Sequence, residues 1–135
     1  MARAQCRKAS IAAGRRPRAV SIYNRDSMPG TMSKLHFFLK LIPPRPTFPM
    51  DMTDQERALM LAHVKYTHEQ FAAGKVLIFG PVMAPTGAFG MAVFEVADEA
   101  ELRAIMENDP TVKGGLNTFE MFPMRIGASQ APRSE

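Results

Sequence analysis

The sequence predicts an α+β domain whose elements run β-α-β-β-α-β, and three observations carry that prediction. Four short segments are dense in β-formers. Two stretches between them open on a helix cap. The middle pair of strands is joined by a glycine-bearing turn short enough for a hairpin.

The first strand is KLHFFLKLI at 34–42. Its alternation puts Leu35, Phe37, Leu39 and Leu41 on one face and His36, Phe38, Lys40 and Ile42 on the other. PPRPTFPMDM follows, and its prolines lack a donor and restrict the residue before them, so an extended loop is expected. Thr53 with Glu56 three positions on makes a capping box. A helix is expected from there through DQERALMLAHVKYTHEQFAA to Gly74, a natural stop. KVLIFGPVM at 75–83 is a nearly unbroken apolar strand, with a break expected at Gly80-Pro81. After the turn APTGAFG comes the strand MAVFEVA at 91–97. Asp98 with Glu101 caps a shorter helix carrying Leu102, Ile105 and Met106, which Asn108-Asp109-Pro110 terminates. LNTFEMFPMRI at 116–126 is the last strand. This order is the ferredoxin-like one, four antiparallel strands with both helices on one face. The bare face needs a cover, and a second copy packed sheet to sheet is the simplest, so a homodimer closing into an α/β barrel is expected.

Charge is unevenly spread. Residues 1–31 hold seven Lys/Arg against one Asp, so ten of the seventeen basic and twelve of the thirteen acidic residues lie beyond them. The folding part is therefore mildly acidic although the whole chain carries +4 at pH 7. That removes the argument for nucleic acid as a partner, which needs a clustered basic face. No apolar run approaches the roughly 18–20 residues that span a bilayer, so no membrane partner is expected either. The leader lacks the apolar core of a secretory signal. It is Arg-rich and acid-poor like a mitochondrial transit peptide, yet Met28 and Met32 both precede the first strand, so an upstream start is the simpler reading, with targeting and a functional disordered arm as the alternatives. It is set apart as a disordered basic segment, leaving a domain at 32–127 and a polar tail at 128–135. The single cysteine, Cys6, excludes an intramolecular disulfide and fits a reducing, cytoplasmic setting.

Two of the three histidines, His63 and His68, share the first helix. At about 100° per residue they stand roughly 140° apart and cannot face one metal. With His36 on another element and Cys6 in the leader, no zinc set is expected. His63 lies one turn from Leu59, Met60, Tyr66 and Thr67 and belongs at the edge of the buried face, where packing is its simplest role. His68, followed by Glu69 and Gln70, reads as helix surface. Asp109 before Pro110 reads, alone, as ordinary turn chemistry. The domain offers no Ser/His/Asp spacing and no cysteine nucleophile, and the glycines of PTGAFG sit in a hairpin rather than at a phosphate-cradling strand-to-helix turn.

Taken together, AHVKYTHEQFAAGKVLIFGP followed by GAFGMAVFEVADEAELRAIMENDPTVKGGL resembles the YCII-related family of small dimeric α+β barrel proteins. The marks are the spacing of His63 from Gly80-Pro81, and Asp109-Pro110 followed by Gly114 and Gly115. The resemblance implies an active-site dyad of His63 and Asp109. The family includes enzymes that eliminate chloride from chlorinated aromatic ring-cleavage intermediates and is structurally related to muconolactone isomerases. This chain departs from it in a longer Pro-rich loop at 43–49, expected to border the pocket. A carboxylate bonded to one imidazole nitrogen fixes the tautomer and leaves the other nitrogen to take a proton beside a substrate carbonyl. Such chemistry needs no cofactor. His36 and Phe38 are expected to line the pocket, Tyr66 to donate to an enolate oxygen, and Gly80 and Pro81 to make room for a small-molecule ligand. The expected function is a small lyase or isomerase acting on a carbonyl or ring-cleavage-type substrate. Two alternatives stay open: a non-catalytic binding or regulatory barrel, and a haem-handling barrel with His36 or His63 as axial ligand.

Overall fold

A computed structural model describes residues 34–130. The readings of the basic leader, of Cys6 and of the end of the polar tail lie outside the described residues. The chain runs β1 (Leu35–Ile42), α1 (Phe48–Asp51), α2 (Asp54–Ala72), β2 (Val76–Ala84), β3 (Gly87–Val96), α3 (Glu99–Glu107), α4 (Pro110–Lys113) and β4 (Thr118–Met124). The strands form one antiparallel sheet in the order β2-β3-β1-β4, the ferredoxin-like topology. No helix among the described residues is long and apolar enough to cross a membrane.

Both long helices start where their caps dictate. The Thr53 hydroxyl accepts from the Glu56 amide while the Glu56 carboxylate accepts from the Thr53 amide, so two amides at the open end of α2 are satisfied reciprocally. At the other end Gly74 takes φ +76°, the left-handed stop that a glycine adopts without a Cβ penalty. Asp98 caps α3 by accepting from the Glu101 amide.

Alternation along β1 decides the layers. Phe37, Leu39 and Leu41 are buried and join Ala92, Phe94, Leu102 and Met106 in one core between sheet and helices. The opposite face carries His36, Phe38 and Lys40 beside their cross-strand partners Glu95, Val93 and Phe122. His36 Nε2 lies 3.0 Å from Glu95 Oε2, and the Phe38 and Phe122 rings stand 6.3 Å apart. This face stays partly bare, with Ile78 57% and Phe122 46% exposed.

Two local expectations are corrected. Residues 43–52 are not wholly extended: Thr47 leads into one helical turn, α1, with proline in its first turn, where the missing amide would have no partner anyway. Nor does β2 break at Gly80-Pro81. Pro81 pairs with Gly90 in an unbroken ladder, because β2 is an edge strand and an edge tolerates a residue with no donor. The irregularity in this pair falls instead between Val76 and Ile78, where the register shifts.

The two long helices seat differently. α3 drives Leu102 and Met106 fully into the core. In α2 only Thr67 is buried, because Met60, His63, Tyr66 and Gln70 look onto a cavity between the helix and the sheet.

Candidate functional site

That cavity has a volume of about 350 Å³, the size for a small ring compound. Its floor is the helix-facing side of the sheet, including Leu39, Leu41, Phe79, Pro81 and Ala92. Its roof is α2, and one wall is the segment 43–52, which contributes Pro43, Phe48, Pro49 and Met52. The strap is tied down from outside. Arg45 donates to Asp51 Oδ1 at 2.7 Å and, through both terminal nitrogens, to the two Glu56 oxygens at 2.8 Å each. The Arg45 guanidinium holds the Glu56 carboxyl down to about 2. It also lies over the ring of Phe48, which is 4% exposed.

The polar end of the cavity is built on α4. Asp109-Pro110 both ends α3 and starts this single turn: Asp109 is its cap and Pro110 its first residue. Asp109 Oδ1 accepts from the Thr111 amide at 2.8 Å and from the Thr111 hydroxyl at 2.6 Å. Oδ2 is left for another element, and His63 Nδ1 on α2 lies 2.6 Å from it. α4 and α2 come close to each other beside Gly114, where a side chain would find little room. A Cβ there would stand 3.0 Å from the Pro110 carbonyl oxygen and 3.2 Å from Leu59 Cδ1.

Asp109 is 2% exposed, so its charge is held by partners rather than by water. Burial alone would raise its carboxyl, but the hydrogen bonds to His63 and Thr111 outweigh that and leave it below the usual aspartate range. A carboxylate facing Nδ1 is matched by an N–H there, so the neutral tautomer that fits this contact carries its proton on Nδ1, and Nε2 makes no hydrogen bond among the described residues. The His63 side chain is 18% exposed and lines the cavity.

The other candidates divide. Tyr66 lines the cavity, and its hydroxyl donates to the Ile105 carbonyl at 2.8 Å rather than pointing its proton into the open space. Burial, followed by the charge of Asp109, pushes that phenol up. Gly80 and Pro81 line the cavity as part of a continuous strand. His36 and Phe38 are not part of it: they point to the opposite side of β1, where His36 meets Glu95. Strand alternation separates two faces without saying which one meets the helices. Losing His36 leaves His63 as the one histidine of the haem reading that faces this cavity. His68 is exposed on α2, with its ring edge-on to Phe79 at 5.1 Å. Among the described residues no three His, Cys, Asp or Glu side chains gather as a metal site.

Sequence reasoning missed Thr111 and Asn117. For Thr111 a signal was present, since Asp-Pro-Thr is a cap followed by proline at the first helical position. Asn117 carried none, because its place depends on how α4 meets β4.

The profile of the YCII-related domain matches residues 36–125. The chain belongs to the YCII-related family. In YCII terms the match runs from β1 through β4 and takes in His63, Asp109 and the strap. No curated protein matches the chain. Among solved structures, the YCII-type fold is similar to 5-chloro-2-hydroxyhydroquinone dehydrochlorinase (TftG) from Burkholderia phenoliruptrix AC1100, solved in complex with 2,5-dihydroxybenzoquinone. Identity is 26% over 62% of this chain and 90% of that one, with a TM-score of 0.46.

Proposed function

We propose that this YCII-related protein is a small lyase or isomerase that moves a proton on a carbonyl compound, with His63 as the base and Asp109 as the group that holds it. The observation that carries the reading is one imidazole fixed at Nδ1 by a buried carboxylate at 2.6 Å while the ring lines an apolar cavity. Apolar walls keep water from competing for the free nitrogen. His63 Nε2 takes a proton from a carbon next to the substrate carbonyl. The C–H bond breaks, the N–H bond forms, and the electron pair moves into an enolate. Asp109 stabilises the imidazolium so formed. Return of the proton to a different carbon completes an isomerisation. With a halogen on the neighbouring carbon, the enolate pair instead forms a C=C bond and halide leaves, and the imidazolium then gives its proton to water.

The test is deuterium exchange in D2O, followed by proton NMR, on unsaturated lactones and β-halo carbonyl compounds. Deuterium should enter at the carbon next to the carbonyl faster than in buffer, and the halogenated probes should release halide. Probes that shift the protein's resonances without exchanging would sink the catalytic reading in favour of a binding or regulatory barrel.

The protein acts in this reading as a homodimer. The exposed side of the sheet bears Phe38, Ile78 and Phe122 with no helix over them among the described residues, and a second copy turned sheet to sheet would bury all three in both copies. Sedimentation should therefore give a dimer, and Phe122→Glu should shift it toward monomer. A wild-type monomer at NMR concentration rejects the dimer.

A further inference from the structure

We infer that Asn117 is a substrate-positioning residue, whose carboxamide selects a ring carrying a hydroxyl group beside its carbonyl. Asn117 lines the cavity and is 4% exposed. Its Oδ1 is buried with no hydrogen-bond partner, alone in this among the buried side-chain atoms of the described residues. Its Nδ2 has only the Met60 thioether sulfur, at 3.5 Å. Thioether sulfur is a weak acceptor, so both ends of the amide are underused. A buried acceptor without a donor is costly and rare enough to need an explanation.

The mounting of the residue supplies one. The backbone N–H of Asn117 donates to the Thr111 carbonyl at 3.1 Å, and Thr111 in turn binds Asp109 through its backbone N–H and its hydroxyl. Met60, which the carboxamide touches, lies one turn before His63 on α2. The unpartnered amide and the acid–base pair therefore belong to one end of one cavity, held by the same short helix. In a wall made otherwise mostly of hydrocarbon, Oδ1 calls for a hydroxyl donor and Nδ2 for an oxygen better than sulfur. A vicinal hydroxy-carbonyl offers both at the spacing of a carboxamide. Bound that way, the ring carbons beside the carbonyl lie at the His63 end of the cavity.

The inference deepens the proton-transfer reading of this cavity and rests on it for the sense of the bound substrate, but its test needs no turnover. The enol form of cyclohexane-1,2-dione and plain cyclohexanone share a ring and differ by the hydroxyl. Wild-type protein should bind the first more tightly, by on the order of tenfold, the worth of one buried hydrogen bond. Asn117→Leu should bind the two equally and be at least as stable as wild type, because it removes an unsatisfied buried group. In the unaltered protein, the Asn117 side-chain amide resonances should move further with the hydroxylated probe, which engages both ends of the carboxamide, than with cyclohexanone, whose carbonyl can meet only Nδ2. That second reading holds even if the leucine variant fails to fold. Equal binding of the two probes by wild type, or unmoved Asn117 resonances, overturns the assignment and leaves a trapped water as the partner. Exchange failing while the binding ratio holds removes the proposed reaction and keeps Asn117.

Discussion

Asp109→Ala should lower the stability of the domain by roughly 2–4 kcal/mol, from a lost helix cap and stranded buried partners. The substitution takes the acceptor from both the Thr111 amide and the fully buried Thr111 hydroxyl, and the cap from α4. It also frees the ring of His63. Chemical denaturation of variant and wild type measures the difference, and a change within about 0.5 kcal/mol, the range of an ordinary surface substitution, would refute it. The same carboxylate sets an acid limit. Its folded-state pKa lies below the ordinary aspartate value, so the unfolded chain takes up the proton first as pH falls. The stabilisation is complete above the unfolded-state value of about 3.9 and drains away as pH drops through the lower folded-state value. Glu56, held down to about 2 by Arg45, adds in the same direction over the same acid range. Asp109→Asn should flatten that acid limb while keeping an oxygen for Thr111.

His63→Gln should cost about 10²–10⁴-fold in kcat, the usual worth of a positioned acid–base group, with little change in KM. Glutamine can still donate to Asp109, so the fold should survive, but it has no nitrogen that takes a proton at neutral pH. Asp109→Asn should cost a similar factor for a different reason. An amide nitrogen facing Nδ1 donates to it, which forces the imidazole proton onto Nε2 and reverses the tautomer. The double variant should be no slower than the worse single one, because groups that act as a unit do not add. Multiplying losses would show two independent residues instead.

How much of this was legible beforehand follows from the physics of each part. α2 and α3 could be read because a cap is a local event: Thr53 and Glu56, or Asp98 and the Glu101 amide, need nothing from the rest of the fold. The pairing of His63 with Asp109 was suggested by family resemblance, and no helical or strand period in the sequence implies it. Prolines misled twice. The prolines of the loop forbid helix on local rules, yet Pro49 stands in a first turn, and the break those rules put at Gly80-Pro81 does not occur because β2 lies at the sheet edge. The assignment of His36 and Phe38 to the pocket failed because period two gives faces but no layer. Tyr66 was placed correctly on the cavity, yet the use of its hydroxyl was set by a carbonyl on α3 that no spacing rule reaches.

The strap over the cavity has its hydrogen-bonded fastenings and its inner surface on different residues, which meet only where the Arg45 guanidinium lies over the Phe48 ring. Arg45, Thr47, Asp51 and Glu56 fasten it by charge and hydrogen bonds, while Pro43, Phe48, Pro49 and Met52 face inward. None of these side chains shares a hydrogen bond with His63 or Asp109. In evolutionary terms the molecule is modular within a single domain. A descendant can exchange the inward residues other than Phe48 one at a time, altering the outline of what enters, while the fastenings keep the strap in place and the His63–Asp109 contact below is inherited intact. Variety in what fits the cavity with constancy of its polar end is the pattern such an arrangement permits.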